Sequence, residues 1–532
     1  MTESQYFAPT DASSAVLVTG AAGGLGIHVV RVLSEAGWKV RAFDRRELSQ
    51  TRRGCLAEDL DDVEWIVGRG AGDELCSALA GCRALVHTAS ICSLSAPESE
   101  LTKINHDLTE ILFRRSAELG VDHFVHISCA SVYQTETGVQ IEESPTEAYN
   151  AYEQSKLDAE DTLRKLKTQL ADAPELTVLR PGLLYGPGCT SMGSGLIPLP
   201  AILRGVSRYL PGLTGGPRTN WCHVSDVASA VEVVLRHKDG RGRIFNVADE
   251  TALSFGEVLT SIIEGYGIDL GPSVRMPRIA MWTLLGPLLD TSWSLVRMRS
   301  LLQFLWRRIQ AGHGLDSPLR PRLNRDALFY IRDDAIVVAD ALRALGWSPE
   351  WPDYRQGIAA TIRWYQEQGW APRFDLDALA ERRDAAPSSS HFSYRERVDG
   401  TLVGDDRTRP AQLELTLSWP GLPIPPTRRE GRLEGTLSIS DLVEEAEIKG
   451  TIYLRWLPVM EFVYEFGFRD AEGRACRFRG TRRLQPTTPV DSLLGLQGTV
   501  FNERGECLGK FDGRSADGVL PLLTATSSSD SS

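Results

Sequence analysis

The stretch TGAAGGLG at residues 19–26 decides the predicted fold. It begins at the last residue of the apolar run AVLVT (15–19) and opens a helical pattern over residues 24–36. Glycines at such a strand–turn–helix junction permit a tight turn, let the backbone approach a pyrophosphate and place that charge at the helix N-terminus. The next predicted strand ends at Asp44, about 20 residues after the glycines. A carboxylate at this sequence separation accepts hydrogen bonds from the ribose hydroxyls of a dinucleotide. The stretch therefore predicts a dinucleotide-binding site.

Short apolar runs alternate with amphipathic stretches around this motif. The runs that predict strands are AVLVT (15–19), KVRAF (39–43), VEWIV (63–67), RALVH (83–87), VDHFVHIS (121–128), LTVLR (176–180) and RIFNV (243–247). Strands separated by helices indicate βαβ units and a parallel sheet with both faces covered. We therefore predict an α/β fold of the Rossmann-type doubly wound class, with its core at residues 14–250 and a helical substrate region at 251–370.

A change of composition separates this part from the rest of the chain. Residues 371–390 predict a linker, because ERRDAAPSSS (381–390) is charged and then rich in Pro and Ser. Beyond it apolar residues recur with a period of two, which is typical of half-buried strands. One parity is shared by Met460, Phe462, Tyr464, Phe466 and Phe468. We predict a separate antiparallel all-β domain at 391–523, a sandwich or barrel of about eight strands, and a disordered tail at 524–532.

Composition excludes several classes of protein. The 532 residues are 42% hydrophobic and 24% charged, which is typical of soluble globular proteins. The net charge of −12 argues against nucleic acid as a partner. Nine cysteines without a C-x-x-C pair or a Cys/His cluster predict reduced thiols and no metal site. Because we find neither a secretory signal nor an apolar run long enough to span a membrane, we expect a cytoplasmic protein, with membrane association as an alternative.

The second informative motif is YEQSK at residues 152–156. A Tyr and a Lys four residues apart lie on one face of a helix. A free tyrosine titrates near about 10, and a neighbouring ammonium group lowers its pKa by stabilising the phenolate. Tyr152 is therefore a candidate acid/base for proton transfer, with Lys156 beside it.

With both motifs in place, residues 14–370 resemble the extended short-chain dehydrogenase/reductase family. TGAAGGLG is similar to its TGxxGxxG motif and YEQSK to its YxxxK motif. Further matches, in the family's order, are VHTAS (86–90), INHDLTEIL (104–112), ISCASVY (127–133), LRPGLLYGPG (179–188) and WCHVSDVA (221–228). The resemblance implies that Tyr152 is the acid/base, that Lys156 binds the nicotinamide ribose and that Asn105 holds a relay water.

The expected cofactor is NAD, because the charge of Asp44 repels the 2′-phosphate of NADP. Arg45 and Arg46 keep NADP open as the less favoured alternative, since they could bind that phosphate. The candidate cofactor-binding residues are Gly20, Gly23, Gly24, Leu25, Gly26, Asp44, Arg45, His87, Thr88, Ala89, Lys156 and Pro181.

Two positions depart from the family's pattern. The hydroxyl that polarises the substrate oxygen is replaced by Cys129, and a thiol is a weak donor. Either Ser128 or Ser131 substitutes as a catalytic residue, or catalysis is impaired. Arg69 stands where the family usually has an Asp beside the adenine, which would loosen recognition of the adenine.

Within the family, the chain resembles the 3β-hydroxysteroid dehydrogenases and their sterol-carboxylate and isoprenoid relatives. The resemblance rests on the insertion after residue 270 and on LGWSPEWPDYRQGIAATIRWYQEQ (345–368). It implies an NAD(P)-dependent oxidoreductase that transfers a hydride between nicotinamide and a small hydrophobic secondary alcohol or ketone, such as a steroid, sterol or related lipid. Two alternatives stay open: a nucleotide-sugar epimerase or dehydratase, and an impaired cofactor-binding scaffold whose β domain binds lipid or a partner. Residues 462–484 resemble the β-rich accessory region of some sterol-oxidase-like flavoproteins.

The insertion also has an unusual charge pattern. Residues 275–325 contain nine arginines but only Asp290 and Asp316 as acids, interleaved with tryptophans. This pattern indicates an amphipathic segment that contacts anionic lipid peripherally, or else a core helix pair with a solvated arginine face. A homodimer is a further expectation for the chain.

Overall fold

The computed structural model describes residues 15–69, 72–134, 138–190, 192–204, 210–276, 292–321, 333–374, 391–404, 407–420, 429–455, 461–483 and 494–516. The chain divides into two compact units, Met1–Phe374 and Asp375–Ser532. The predicted tail at 524–532, the predicted linker beyond residue 374 and Met460 lie outside the described residues. No helix among the described residues is long and apolar enough to cross a membrane.

A seven-stranded parallel sheet forms the centre of the first unit. Its strands are β1 Ala15–Thr19, β2 Lys39–Asp44, β3 Glu64–Val67, β4 Cys82–His87, β5 His123–Ile127, β6 Glu175–Pro181 and β7 Ile244–Val247. They lie in the order β3-β2-β1-β4-β5-β6-β7, and all neighbours are parallel. The order reverses between β1 and β4, which is the point where doubly wound sheets bind ligands. The predicted α/β class is confirmed.

The sheet is buried on both faces, which explains why its strands are continuously apolar. Val16 and Val18 of β1 belong to one buried cluster, and Leu17 belongs to the cluster on the opposite face. Each large side chain buried in this way contributes about 1.5–3 kcal/mol to the free energy of unfolding. The position of β1 and of the glycine-rich loop that follows it is therefore strongly fixed.

The described helices of the first unit are α1 Gly26–Glu35, α2 Asp73–Leu79, α3 Glu98–Leu101, α4 Leu108–Glu118, α5 Ala151–Gln169, α6 Pro198–Arg204, α7 Val224–Arg236, α8 Phe255–Gly265, α9 Ser292–His313, α10 Asp340–Arg343 and α11 Tyr354–Glu367. A π-helical turn, Thr102–Asp107, joins α3 to α4. Single 3₁₀ turns occur at Leu48–Gln50, Gly54–Ala57, Ala130–Val132, Met192–Leu196 and Lys238–Gly240.

The region at 251–370, which the sequence predicts as helical, also contains strands. Leu270–Met276 pairs in parallel with Leu210–Gly215, and Ile336–Val337 pairs with Val139–Gln140. The stretch LGPSVRM has Gly and Pro and no alternation, so its sequence carries no strand signal of its own. Its partner strand, about 60 residues earlier in the chain, supplies the hydrogen bonds that make it extended. Residues 277–291 and 322–332 of the predicted insertion lie outside the described residues.

The second unit is a closed antiparallel barrel. Its strands are β8 His391–Gly404, β9 Arg407–Pro420, β10 Arg429–Ile439, β11 Val443–Arg455, β12 Glu461–Arg469, β13 Ala475–Arg483, β14 Gly495–Asn502 and β15 Cys507–Ser515. Each strand pairs with the next, and β8 pairs with β15 to close the barrel. The predicted antiparallel all-β domain of about eight strands is confirmed, as a barrel and not as a sandwich.

Among the described residues, the barrel has an apolar core that also contains a buried ion pair. Phe462, Tyr464, Phe466 and Phe468 are all buried, as their common parity predicts. The Arg482 guanidinium lies 2.9 Å from a Glu396 carboxylate oxygen, with both side chains almost fully buried. The Tyr464 hydroxyl donates to the same Glu396 carboxylate at 3.4 Å.

Candidate active site

The glycine-rich loop lies between β1 and α1, at the point where the strand order reverses. Gly20 has a φ of +73°, and a Cβ there would lie 2.6 Å from the backbone of Ala89. A Cβ at Gly26 would overlap the Gly20 carbonyl oxygen. Leu25 takes the N-cap position of α1, and its side chain packs on the core. Only glycines form so tight a cradle, and its shape fits the pyrophosphate of a dinucleotide.

The Asp44 carboxylate lies beside this loop at the end of β2. One oxygen accepts a hydrogen bond from the Ala22 N–H at 3.1 Å, and the other accepts from the Arg46 N–H at 3.1 Å. Each oxygen keeps a further lone pair that could accept from a ribose hydroxyl. Arg45 and Arg46 are exposed, as is Arg69 beyond the end of β3. The arrangement fits the predicted role of Asp44 in binding the adenosine ribose.

We expect Asp44→Asn to weaken the binding of NAD about tenfold or more. The substitution should also reduce the difference between the affinities for NAD and NADP. The amide keeps the shape of the side chain but removes the charge, and hydrogen bonds to charged groups contribute about 1.5–3 kcal/mol. Dissociation constants of both dinucleotides, measured by calorimetry, test this expectation. Asp59→Asn, at an exposed carboxylate, is the control. An unchanged NAD:NADP ratio would assign the specificity to other residues.

His87 is the last residue of β4, and Thr88 and Ala89 follow it next to the glycine-rich loop. The Thr88 hydroxyl donates to the Thr19 carbonyl oxygen at 2.7 Å. The His87 ring is buried, with its nitrogens 2.8 Å from the Thr19 hydroxyl and 2.9 Å from the Thr109 hydroxyl. Burial lowers the pKa of His87 to about 3, so the ring is neutral at physiological pH. Both ring nitrogens are hydrogen-bonded to hydroxyls of the chain, so the ring connects β1 and β4 to α4. In this arrangement His87 supports the cofactor site through the strands and not through a hydrogen bond of its own.

Tyr152 and Lys156 lie on α5, whose start is fixed by a double cap. The Asn150 side chain accepts from the Glu153 N–H at 3.0 Å, and the Glu153 carboxylate accepts from the Tyr149 N–H at 2.8 Å. Both candidate catalytic side chains are buried. The Lys156 ammonium donates to the Ile127 carbonyl oxygen at 3.0 Å, and burial lowers the pKa of Lys156. The helix thus brings Lys156 to the carboxyl end of β5, with Tyr152 one turn earlier on the same helix.

The structure distinguishes the two serines that flank Cys129. The Ser128 hydroxyl donates to the buried Glu160 carboxylate at 2.5 Å. The Ser131 hydroxyl is half-buried and donates to the Cys129 sulfur at 3.1 Å. Burial raises the pKa of the Cys129 thiol to about 12, so it stays neutral and is a weak acceptor. Ser131 is therefore the hydroxyl that could donate to a substrate oxygen with the smaller loss of hydrogen-bond energy, because it gives up only a weak bond to sulfur.

Asn105 lies in the π-helical turn before α4. Its carbonyl oxygen accepts from the Ile91 N–H at 2.8 Å. Its amide nitrogen donates to the Ile91 carbonyl oxygen at 3.1 Å and to the Ser155 hydroxyl at 3.0 Å. The side chain therefore fixes the loop at residue 91 to the catalytic helix, and its predicted relay role stays a prediction.

A buried ion pair behind the Tyr–Lys pair was not predicted. Arg180 donates to both carboxylate oxygens of Glu160, at 3.0 and 2.6 Å, and both side chains are almost fully buried. The guanidinium also lies 4.8 Å from the centre of the Tyr133 ring. Glu160 follows Lys156 by four residues, so the spacing 152–156–160 along one helix face could have indicated it.

The cavity beside Tyr152 is mostly apolar. Its apolar walls include Pro181, Leu183, Leu184, Ala335 and Val337. Its polar groups include Ser131, Gln140, Tyr149, Tyr152, Thr219 and Asn220. Among the described lining residues the charged side chains are Glu153 and Asp333, both acids, and neither Lys nor Arg lines the cavity. Also within the described residues, no group of three or more His, Cys, Asp or Glu side chains could hold a metal ion.

Several known proteins are similar to this chain. The family model of the NAD dependent epimerase/dehydratase family matches residues 16–248. A ceramide reductase of Caulobacter vibrioides is 26% identical over 64% of this chain and 98% of its own length. A 3 beta-hydroxysteroid dehydrogenase/Delta 5-->4-isomerase of Mycobacterium tuberculosis is 25% identical over 63% of this chain and 86% of its own. A dTDP-glucose 4,6-dehydratase from Streptomyces venezuelae, solved with NAD and TYD bound, is 24% identical, with a TM-score of 0.49 over 67% of this chain and 98% of its own.

Proposed function

Since residues 16–248 belong to the NAD-dependent epimerase/dehydratase family, within the extended short-chain dehydrogenase/reductases, we propose that this NAD-dependent oxidoreductase acts on a hydrophobic secondary alcohol or ketone. The substrate class is a steroid, a sterol or a related lipid. The family's description agrees with the NAD prediction, and the glycine cradle with Asp44 fits that cofactor.

The lining of the cavity carries this proposal. A nucleotide sugar has a charged diphosphate, which proteins bind with Arg or Lys side chains. The described lining offers Glu153 and Asp333, whose negative charges would repel a diphosphate. An apolar wall with a few convergent polar groups suits an uncharged ligand with one reactive oxygen. The names of two similar proteins, a ceramide reductase and a 3 beta-hydroxysteroid dehydrogenase, also refer to lipids.

The roles of the residues follow from their contacts. The nicotinamide, when bound, supplies the hydride donor or acceptor. Tyr152 exchanges a proton with the substrate oxygen through its phenol hydroxyl. Lys156 lies four residues after Tyr152 on the same helix, its ammonium is held on the Ile127 carbonyl, and its positive charge would stabilise the phenolate. Ser131 can donate a second hydrogen bond to the substrate oxygen by giving up its weak bond to the Cys129 sulfur.

A substrate panel tests the proposed function. Purified full-length protein with NAD or NADH is assayed by nicotinamide absorbance against 3β-hydroxysteroids, long-chain lipid ketones, UDP-glucose and dTDP-glucose. We expect turnover with a steroid or lipid ketone and none with the nucleotide sugars. Turnover of a nucleotide sugar alone would contradict the proposal and favour the epimerase/dehydratase alternative. Cofactor binding without turnover of any of these compounds would favour the scaffold alternative.

We expect Ser131→Ala to lower turnover about tenfold or more with little change in stability. Ser128→Ala should lower stability with little change in turnover. Ser131 loses only a weak bond to a thiol, whereas Ser128 loses a bond to the buried Glu160 carboxylate. Thermal unfolding and turnover of both variants, compared with Cys129→Ser, separate the two effects. A loss of turnover in Ser128→Ala but not in Ser131→Ala would reverse the assignment.

Membrane contact through residues 275–325 remains a proposal. In the described part of this segment, α9 buries Trp306 and exposes Phe304, Arg307 and Arg308. An exposed aromatic ring beside two cations is compatible with an anionic lipid surface. The homodimer also remains a proposal.

A further inference from the structure

Residues 186–190, which we call the clamp loop, lie against the glycine-rich loop. The clamp loop follows the short strand Leu183–Tyr185. A Cβ at Gly24 would lie 3.2 Å from the Gly188 carbonyl oxygen and 3.4 Å from the Cys189 Cα. The two loops are therefore in van der Waals contact, and the clamp loop forms a wall of the predicted pyrophosphate site.

Three side chains from three different elements hold the carbonyl groups of the clamp loop. His28 of α1 has its Nε2 2.9 Å from the Pro187 carbonyl oxygen. Arg53 donates to the Gly188 carbonyl oxygen at 2.7 Å and to the Thr190 hydroxyl at 3.2 Å. The Tyr365 hydroxyl of α11 lies 2.9 Å from the Gly186 carbonyl oxygen and 2.7 Å from that of Cys189, and its proton is available to either.

The three anchors are suited to a fixed geometry. Burial lowers the pKa of His28 to about 4, so at neutral pH its ring is uncharged and Nε2–H can donate to Pro187. Tyr365 is fully buried, and its ring stacks on Trp370 at 5.4 Å. Arg53 is half-buried, and its guanidinium is held by the two hydrogen bonds to the clamp loop. The carbonyl groups of four consecutive residues, 186–189, are therefore each hydrogen-bonded to one of these three side chains.

We propose that His28, Arg53 and Tyr365 are positioning residues for dinucleotide binding, because they hold the clamp loop against the glycine-rich loop before the cofactor arrives. A binding site that is already ordered loses less conformational entropy when the ligand binds. This inference rests on the proposed function, since it requires that the glycine cradle binds a dinucleotide. It adds that His28 of α1, Arg53 and Tyr365 of α11, which lie outside the glycine cradle, set the affinity for the dinucleotide.

Tyr365→Phe is the test, and Tyr266→Phe is its matched control. Both tyrosines are buried in the same apolar cluster and donate to backbone carbonyls, but the Tyr266 hydroxyl bonds Ile197 at 3.0 Å, away from the clamp loop. Calorimetry on the full chain measures the NAD dissociation constant, and thermal unfolding measures stability. We expect both variants to lose similar stability, but only Tyr365→Phe to bind NAD more weakly, by about tenfold.

A second pair of variants keeps the test decisive if Tyr365→Phe does not fold. His28→Leu removes the donor to the Pro187 carbonyl and should weaken the binding of NAD. His28→Gln retains an N–H donor and should restore the affinity for NAD. Wild-type protein that binds neither NAD nor NADP would refute the proposed function itself. Wild-type binding with equal NAD affinity in Tyr365→Phe and Tyr266→Phe, or with no rescue by His28→Gln, would overturn the positioning role alone.

Discussion

Tyr152→Phe is expected to lower turnover by at least about 100-fold, the low end for a general acid–base group, while the fold and the NAD affinity are kept. The substitution removes only the hydroxyl that exchanges a proton with the substrate. The phenylalanine ring can keep the packing of Tyr152 in its apolar cluster with Leu101 and Val132. Lys156 keeps its bond to the Ile127 carbonyl, so the environment of the missing hydroxyl is otherwise unchanged.

Two measurements separate a catalytic loss from a structural one. Single-turnover rates with the best substrate of the panel report the chemical step, and calorimetry reports the NAD dissociation constant. Tyr266→Phe, which loses a buried hydroxyl outside the cavity, should retain its rate. A Tyr152→Phe variant with near-normal turnover would show that another group moves the proton. A Tyr266→Phe variant that loses as much would assign the effect to packing.

The strands of both units were predictable because their apolar patterns are local. VEWIV (63–67) corresponds to Glu64–Val67, and LTVLR (176–180) to Glu175–Pro181, because such runs are bounded by turn or polar residues. In the barrel, the period of two over Phe462 to Phe468 identifies the buried face. The period does not determine closure, since sandwiches and barrels alternate alike, and the pairing of β8 with β15 joins distant segments.

The roles of individual polar side chains were less predictable, because their partners are distant in sequence. Ser128 and Ser131 are close neighbours in the motif, but only the fold places Glu160, 32 residues later, against Ser128. Likewise Tyr365 is 176 residues from the Cys189 carbonyl to which it bonds. Motif spacing predicts which helix face carries Tyr152 and Lys156, whereas long-range packing decides which neighbouring groups are available to a ligand.

Glu160→Gln is expected to lower the free energy of unfolding of the first unit by about 3–5 kcal/mol, the range for removing one partner of a buried ion pair. The side-chain exposures of Glu160 and Arg180 are 0% and 3%, so solvent cannot compensate the guanidinium that is left. The glutamine keeps the volume of the side chain, so the loss reports the charge. Ser128 also loses its carboxylate acceptor.

The ion pair also predicts a pH dependence of stability. Burial by itself raises the pKa of Glu160, but the hydrogen bonds and charge of Arg180, with the Ser128 hydroxyl, lower it overall. A carboxylate whose folded pKa lies below its unfolded value of about 4.3 stabilises the fold above that pH and loses this contribution as the pH falls through the folded pKa. Wild-type stability should therefore fall more steeply than that of Glu160→Gln below about pH 4.

The matched control is Glu110→Gln, which breaks an exposed i,i+4 pair with Arg114 at 2.8 Å on α4. Exposed pairs contribute about 0–1 kcal/mol, so this variant should be close to wild type. Because the chain has two units, hydrogen exchange of α5 peptides, followed by mass spectrometry in increasing urea, reports the stability of the first unit specifically. Equal stability in Glu160→Gln and Glu110→Gln would mean that the Tyr133 ring, 4.8 Å from the guanidinium, is sufficient to compensate Arg180. A large difference would identify the buried pair, which also accepts the Ser128 hydrogen bond, as a main contributor to the stability of the first unit.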